Sequence, residues 1–393
     1  MNDGIIALTN KYISRLSNYG NLPSKPIQSI CKLDNKLDWR KTGSNGWSVI
    51  AESIFETIKQ NNTFSFTNRF TAKATFVGGT LPYVSGLLMS DGRIILVPFN
   101  STTSIIWDPN NDLNTIPAGT YSGISAHSSS VLLPNGEIFF GPRSAACKVY
   151  NPITNSVRTI GSAPSTANSY LSSVLMPDGR VYCAAYTITT SLIVDPVNNT
   201  TKNATGTLSI GSSGFAGYGT VLLPDGRVFI ANSSANSTAW IYDPIKDITS
   251  STRSVFSYSA QGCMLLPDET VLVTSASANS SLMIFDWKKD VVKLSKIVFS
   301  SNIPSGGSTL LPDGTIMLQP IGGNNMVIYN PYTDTAINIA GTINNGDFTN
   351  GIILFDGRYV LIPRNGTSLV GYGTKGLNYS PEVLLSAHYN LRR

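Results

Sequence analysis

The stretch "YGTVLLPDGRVFIANSSANSTAWIYDPIKD", residues 218–247, contains two turns that separate short apolar runs. Pro224-Asp225-Gly226 divides two runs rich in Val, Leu, Ile and Phe, and Asp243-Pro244 ends a third run. Runs of this kind around Asp-Gly predict a β-hairpin, because glycine readily takes the positive φ of a tight turn. Proline sets φ for the second turn and lacks the N–H that would continue a central strand. The stretch therefore predicts three antiparallel strands, A, B and C, with a short strand D after the second turn.

This unit recurs along the 393-residue chain. The first turn occurs seven times, with its glycine or substitute at Gly92, Gly136, Gly179, Gly226, Glu269, Gly314 and Gly357. Successive copies are 44, 43, 47, 43, 45 and 43 residues apart. The second turn occurs six times, starting at Asp108, Asn151, Asp195, Asp243, Asp286 and Asn330. A period of about 40–50 residues with strand signals is typical of a β-propeller, in which stacked four-stranded blades bury each other's faces. We predict an all-β, seven-bladed β-propeller over residues 64–376.

The seventh unit supplies strands A, B and C, but no second turn follows it. The alternating segment at residues 64–76 is predicted to pair with residues 367–372 as the missing outer strand, which removes an open sheet edge. The rest of the chain divides into an N-terminal arm, residues 1–63, and a C-terminal tail, residues 377–393. Apolar residues at helical spacing predict two short helices in the arm, near residues 5–16 and 47–58. The arm could pack on the propeller or dock on another protein.

Composition argues against several classes of partner. Charged residues make up 13% of the chain and the net charge is +5. Arg93, Arg180, Arg227 and Arg358 each follow the first turn, which indicates a structural role and not a nucleic-acid footprint. We find no signal peptide and no apolar stretch of spanning length, and therefore predict a virion or cytoplasmic protein without membrane insertion. The four cysteines are scattered, and the three within predicted strands, Cys147, Cys183 and Cys263, are expected to be buried free thiols.

No catalytic constellation stands out. The chain has two histidines, His127 and His388, which are too few for a histidine-based metal site, and His127 is predicted to be structural. The segment "GYGTKG", residues 371–376, fits Gly-x-Gly-x-x-Gly but lacks the strand–turn–helix context of a dinucleotide site. We therefore predict no enzyme activity, no cofactor and no metal.

The segments "HSSSVLLPNGEIFFGP" and "CKVYNPITNSV", residues 127–142 and 147–157, resemble the kelch repeat. The resemblance covers all seven units, although the diglycine that often ends strand B in kelch repeats is generally absent. The phrase "LLPDGRVF…NST…IYDP" is also similar to repeats in predicted proteins of bacteriophages and large DNA viruses. Kelch-like rings include protein-binding modules and the copper enzymes of the galactose oxidase group. Two ring histidines for such a copper site cannot be placed here, so the resemblance favours binding.

The predicted propeller has two unlike faces. The A–B and C–D turns lie on one side, the turn face, and the B–C and D–A loops lie on the opposite side, the loop face. The turns are uniform, whereas the loops differ, and variable loops on a rigid scaffold commonly carry recognition. We predict a partner site on the loop face at Asn100, Arg143, Tyr186, Asn232, Asn279, Asn324 and Arg364. The alternative is that the arm alone binds.

Taken together, these patterns predict a non-enzymatic structural, assembly or interaction protein. The leading hypothesis is a structural component of a virus particle. Its expected partners are other proteins of an assembly, reached in part through residues 1–60, and not nucleic acid. One alternative is a glycan-binding or glycan-active propeller in which loop aromatics such as Tyr186 stack on sugars. Another is a cellular kelch-type adaptor.

Overall fold

A computed structural model describes residues 71–75, 82–121, 124–162, 164–209, 217–275, 279–299, 307–311, 314–319, 326–339, 348–354, 358–363 and 368–372. These residues form 28 strands in four-stranded antiparallel sheets, and no helix occurs among them. The all-β propeller with four-stranded antiparallel blades is thereby confirmed. The arm, the tail and the two predicted helices lie outside the described residues, so the division into domains stays a prediction.

The strands fall into the four predicted classes. The A strands are β2 (Tyr83–Leu88), β6 (His127–Leu132), β10 (Tyr170–Leu175), β14 (Gly217–Leu222), β18 (Ala260–Leu265), β22 (Gly307–Leu310) and β26 (Phe348–Ile353). The B strands are β3 (Ile94–Pro98), β7 (Ile138–Pro142), β11 (Val181–Ala185), β15 (Val228–Asn232), β19 (Val271–Ser275), β23 (Ile316–Gln319) and β27 (Tyr359–Pro363).

The C and D strands complete each sheet. The C strands are β4 (Ile105–Asp108), β8 (Cys147–Asn151), β12 (Leu192–Asp195), β16 (Ser237–Asp243), β20 (Ser280–Asp286), β24 (Met326–Asn330) and β28 (Ser368–Tyr372). The D strands are β5 (Leu113–Thr115), β9 (Ser156–Ile160), β13 (Thr200–Asn203), β17 (Ile248–Phe256), β21 (Val291–Phe299), β25 (Thr335–Ile339) and, from the N-terminal side, β1 (Thr71–Thr75).

The seven units are not seven equivalent blades. Six blades are each built from four consecutive strands, from β2–β5 to β22–β25. The last sheet has the order β1-β28-β27-β26 and is composite, because the seventh unit lacks a second turn and supplies only three strands. Thr71 pairs with Gly371 and Thr75 with Ser368, so the predicted pairing of the two ends is confirmed. The predicted seven-bladed propeller is corrected to six blades of four consecutive strands, with one composite sheet formed by both ends of the propeller.

The A strands lie next to one another around the inside of the ring. Each contacts the A strand of the next sheet, and β26 contacts β2, so the circle is closed by the composite sheet. In the six continuous blades, strand B is buried along its whole length, and its side chains alternate between two neighbours. In β11, Val181 and Cys183 pack in a cluster with residues of the preceding blade, whereas Tyr182 and Ala184 pack with the following blade. This two-sided burial explains why the B strands are continuous apolar runs.

The A–B turns have the predicted backbone. Gly226 has φ of 88° and Glu269, which replaces glycine in the fifth unit, has φ of 67°. The arginine after the turn pairs with the turn aspartate: Arg93 with Asp91 at 2.6 Å, Arg180 with Asp178 at 2.6 Å and Arg227 with Asp225 at 2.7 Å. The predicted structural role is confirmed for these three arginines, and the fourth, Arg358, donates a 3.0 Å bond to the Pro109 carbonyl of the first blade.

The C–D turns join neighbouring blades, which the sequence did not indicate. Each turn ends in an Asn or Asp with positive φ, at Asp112, Asn155, Asn199, Asp247, Asp290 and Asp334. In the fourth blade the Asp247 carboxylate accepts a 2.8 Å bond from the Tyr242 hydroxyl of its own blade and a 3.2 Å bond from the Thr205 N–H of the blade before. The Asn155 side chain likewise accepts bonds from Tyr150 and from the Ala118 N–H. These turns therefore hold the ring together.

Two further expectations concern the whole chain. Cys147, Cys183 and Cys263 are free thiols, as predicted, and Cys31 lies outside the described residues. No helix in the part of the chain that the structure describes is long and apolar enough to cross a lipid bilayer.

Candidate binding site on the loop face

The loop face is organised by backbone bonds between adjacent blades. The seventh residue after each turn glycine opens a B–C loop; in the first three blades it is Phe99, Arg143 and Tyr186. The carbonyl of Phe99 accepts a 2.9 Å bond from the Ala126 N–H of the next blade. The carbonyl of Arg143 accepts a 2.9 Å bond from the Ser169 N–H in the same way. Equivalent positions on neighbouring blades are thereby brought side by side.

Arg143 is the centre of this arrangement. Its guanidinium carbon lies 4.9 Å from the centroid of the Phe99 ring and 5.3 Å from that of the Tyr186 ring. An arginine within about 6 Å of an aromatic ring is attracted by the ring's quadrupole. The middle blade thus places its cation between aromatic side chains from the blades on either side. We call Phe99, Arg143, Asn168 and Tyr186 the arginine cluster.

Asn168 fixes the guanidinium from the D–A loop. Its side-chain oxygen accepts a 2.8 Å bond from Arg143 Nε. Asn168 has φ of 58°, and its N–H donates to the Ser144 hydroxyl at 3.0 Å, so the residue is held in its turn. Phe99 and Tyr186 are buried, while Arg143 is partly exposed. The cluster presents one preorganised guanidinium at the surface.

The surroundings of the cluster carry little charge. The described B–C and D–A loops contain no Asp or Glu, and Arg143 is the charged residue among them. Carboxylates with a lowered pKa lie instead in the C–D turns. Backbone and side-chain hydrogen bonds lower the pKa of Asp195, Asp243 and Asp286 there. The described part of the loop face is therefore weakly cationic.

The other predicted site residues lie in loops of the same face but do not join the cluster. Asn100 accepts a 3.0 Å bond from the Ser125 N–H and is exposed. Asn232 is buried and closes its own loop, donating to the Thr238 carbonyl at 2.8 Å. Asn279 is exposed with φ of 56°. Asn324 and Arg364 lie outside the described residues.

Burial changes what some of these residues could contribute. Tyr186 is 7% exposed and its ring faces Arg143, so it is not an open platform for a sugar. Sequence reasoning missed Phe99 and Asn168. A signal for Phe99 was present, since Phe99, Arg143 and Tyr186 share one offset from the turn glycine.

His127 lies below this face, at the start of strand A of the second blade. It is fully buried beside the rings of Tyr121 and Phe140, and its Nδ1 lies 3.3 Å from the Gly141 carbonyl oxygen. Burial lowers its pKa to about 4, with a smaller contribution from Lys148. The imidazole is neutral at pH 7 and covered by protein, consistent with the predicted structural role. Among the described residues, no group of three or more His, Cys, Asp or Glu could hold a metal ion.

Comparisons with known proteins support the fold and leave the function open. No protein-family profile matches the sequence, and no curated protein matches it. Among solved structures, virginiamycin B lyase from Staphylococcus aureus is similar with a TM-score of 0.62 and 8% identity, over 78% of this chain and 100% of that chain. A catalytically inactive histidine-to-alanine variant of that lyase, with quinupristin, gives a TM-score of 0.63 at 8% identity, over the same shares of the two chains.

An extracellular domain assigned to a hybrid two-component system from B. thetaiotaomicron is also similar. Its TM-score is 0.55 at 12% identity, over 77% of this chain and 40% of that chain. Similarity at these identities establishes the propeller fold alone. The resemblance to kelch repeats and to viral repeat proteins therefore stays a prediction.

Proposed function

We propose that the chain is a non-catalytic interaction protein whose propeller binds an anionic group of a protein partner at the arginine cluster. The observation that carries this proposal is the position of Arg143, a guanidinium held between two aromatic rings in loops without carboxylates. Arg93, Arg180 and Arg227 on the turn face each pair with the aspartate of their own turn. On the loop face, Arg143 Nε donates to the neutral amide of Asn168.

The chemistry of the cluster suits a carboxylate. A guanidinium can donate two parallel N–H bonds to a carboxylate, and such charge-assisted bonds are stronger than neutral ones. The ordering of Arg143 by Asn168 reduces the rotamer entropy that binding would otherwise cost. Asp- or Glu-bearing loops of an assembly partner therefore fit this face.

A peptide array tests the proposal directly. The chain should retain peptides that contain Asp or Glu over their Asn and Gln counterparts. Arg143→Gln should weaken the binding of the retained peptides by about tenfold or more, because it removes the positive charge and the paired N–H donors. Arg253→Gln is the matched control, since Arg253 is 94% exposed on the outer strand β17 and lies away from the loop face.

Two results of the peptide array would overturn the proposal. One is selection of peptides without acidic residues. The other is an equal effect of Arg143→Gln and Arg253→Gln on binding. If binding to an assembly survives Arg143→Gln but is lost on deletion of residues 1–60, the arm is the interface.

A place in a virus particle is a narrower form of the same proposal. It draws on the repeat resemblance and on the regular scaffold. Mass spectrometry of purified particles from the source should find the chain among the particle proteins; its absence there would confine the proposal to a cellular assembly.

Catalysis is the competing function, because similar propellers include a lyase. Burial of His127 favours binding over that alternative, since the histidine in the described part of the chain is covered by protein and cannot contact a substrate. A glycan array addresses the glycan alternative: retention of glycans that survives Arg143→Gln would favour it over the proposed carboxylate site.

A further inference from the structure

The outer rim of the turn face carries exposed apolar side chains in every continuous blade. They lie at the third residue of the C–D turn or at the first residue of the D strand that follows it. From the first blade to the sixth they are Leu113, Ile153, Val197, Ile245, Val291 and Tyr332. Their exposure ranges from 51% for Tyr332 to 91% for Ile245. We call this set the apolar rim.

The apolar rim is not explained by the fold. A turn of this kind needs an Asx residue at its start and a positive-φ residue at its end, and both are polar. Its third residue contributes only a backbone N–H, as Ile245 does to Asp243 at 3.0 Å. A polar side chain would serve equally there, as Asn110 and Lys288 do in the first and fifth blades. Single exposed apolar residues are ordinary, but their recurrence in or directly after the C–D turn of six blades indicates a covered surface.

The N-terminal arm joins the ring at this rim. Thr71 pairs with Gly371, and Tyr372 pairs with Tyr359, which directly follows the last A–B turn. Strand β1 therefore starts on the turn face and runs toward the loop face as the outermost strand of its sheet. Thr71, to which residues 1–70 are connected, consequently lies at the outer edge of the turn face.

We propose that the arm of this same chain covers the apolar rim. The predicted helices near residues 5–16 and 47–58 each carry an apolar stripe, which is the complement that exposed isoleucines require. The twelve residues 59–70 can span up to about 40 Å. A ring of about 300 residues has a radius of gyration of only about 19 Å. The second helix can thus reach several blades, and an arm seated on the turn face leaves the loop face open.

Cross-linking of the full-length chain with a short amine-reactive reagent tests whether the arm lies on the apolar rim. Lys246, Lys288 and Lys289 lie in C–D turns next to the apolar rim and are exposed. The arm supplies Lys11 and Lys59. We expect links between these arm and rim lysines within one chain. The control is Ile124→Lys, which puts an amine at an 81% exposed position of a D–A loop on the opposite face; links from the arm to that position should be rare.

Hydrogen exchange supplies a second measurement. In the wild type, amides of residues 5–16 and 47–58 should be protected. The double variant Ile153→Asn, Ile245→Asn should speed the exchange of these amides about tenfold or more, because it removes apolar contacts between the arm and the apolar rim. Both residues are more than four-fifths exposed in the ring, so its melting temperature should not change. Ile124→Asn is the matched control and should leave exchange in the arm unchanged.

Three results would overturn the proposal. The arm could link as often to Ile124→Lys as to the rim lysines. In a mixture of isotopically light and heavy protein, the links could form only between copies, which would assign the apolar rim to a second copy of the chain. The arm could also exchange at the rate of an unfolded peptide in the wild type. None of these results bears on the arginine cluster, which lies on the other face.

Discussion

The two faces of the propeller use polar residues in opposite ways. On the turn face, Asp, Asn and Arg recur at fixed positions, and each is engaged in its own turn or in a bond to the next blade. On the loop face, backbone bonds between blades recur, while side chains at one position change from Phe99 to Arg143 to Tyr186. Repeated chemistry belongs to the fold, and chemistry that occurs once in a repeat protein is the better guide to function.

The largest effect is expected where a turn joins two blades. Asp247→Ala removes the acceptor for Tyr242, for the Thr205 N–H and for the Lys202 ammonium at 2.9 Å. We expect the free energy of unfolding to fall by about 2–4 kcal/mol, because the Tyr242 hydroxyl loses its partner and several bonds to a charged group are lost. Urea unfolding measures this change.

Asn100→Ala is the loop-face counterpart. Asn100 is exposed and its side chain accepts a bond from the Ser125 N–H, so its loss should cost less than about 1 kcal/mol. Equal losses for Asp247→Ala and Asn100→Ala would contradict the contrast between the two faces.

The pH dependence of the free energy of unfolding should also distinguish the two faces. The pKa of His127 is lowered to about 4 in the folded protein, so below its unfolded value near 6.5 the unfolded chain binds more protons. Stability should therefore fall as the pH drops from about 6.5 to 4, by an amount on the order of 3 kcal/mol. The turn aspartates, whose pKa values are lowered, lose their contribution only at lower pH, below about 4.

The variant His127→Phe removes the group that is expected to titrate between pH 6.5 and 4. Phe348 opens strand A in the composite sheet as His127 does in the second blade, so the substitution has a precedent in the chain. Urea unfolding at several pH values should show a flat profile from pH 6.5 to 4 in this variant. Retention of the wild-type slope would show that another group titrates there.

Gly226→Val probes the backbone of the turn face with a smaller effect. Gly226 has φ of 88°, and a Cβ there would lie 3.3 Å from Pro177 Cγ. A β-branched residue is strained at positive φ, so we expect the free energy of unfolding to fall by about 1–3 kcal/mol. Gly226→Asn should cost less, since asparagine tolerates this conformation. An unchanged melting temperature for Gly226→Val would refute the assigned strain.

The difference between the faces also explains what could be predicted from the sequence. Turn glycines and Asp-Pro pairs are local signals, so the strands, the ring and the pairing of the two ends, seen as Thr71 with Gly371, could be predicted from the sequence. The bond from Thr205 to Asp247 joins residues of different blades, and no local pattern specifies it.

The candidate site was predicted in part. Arg143 and Tyr186 were chosen as loop residues, and the structure adds Phe99 and Asn168 and buries Tyr186 and Asn232. Burial of a loop side chain depends on how the neighbouring blade packs, which the spacing of turns within one unit does not encode.

The smallest expected effect concerns the one described A–B turn without glycine. Glu269 has φ of 67°, where a residue with a Cβ is strained, whereas the equivalent Gly226 is not. Its side chain pairs with Lys288, whose own side chain is 55% exposed, and an ion pair with a solvent-exposed partner contributes little. The 2.7 Å bond from Trp287 Nε1 goes to the backbone carbonyl of residue 269 and survives any substitution. Glu269→Gly should therefore raise the free energy of unfolding by up to about 1 kcal/mol, since relief of strain outweighs the lost pair and the added freedom of the unfolded chain. Glu269→Ala is the control: it removes the ion pair, keeps the strain and should not stabilise. If Glu269→Gly destabilises the protein and Glu269→Ala does so equally, the Lys288 pair matters more than the backbone, and the turn face depends on side chains even where glycine would serve.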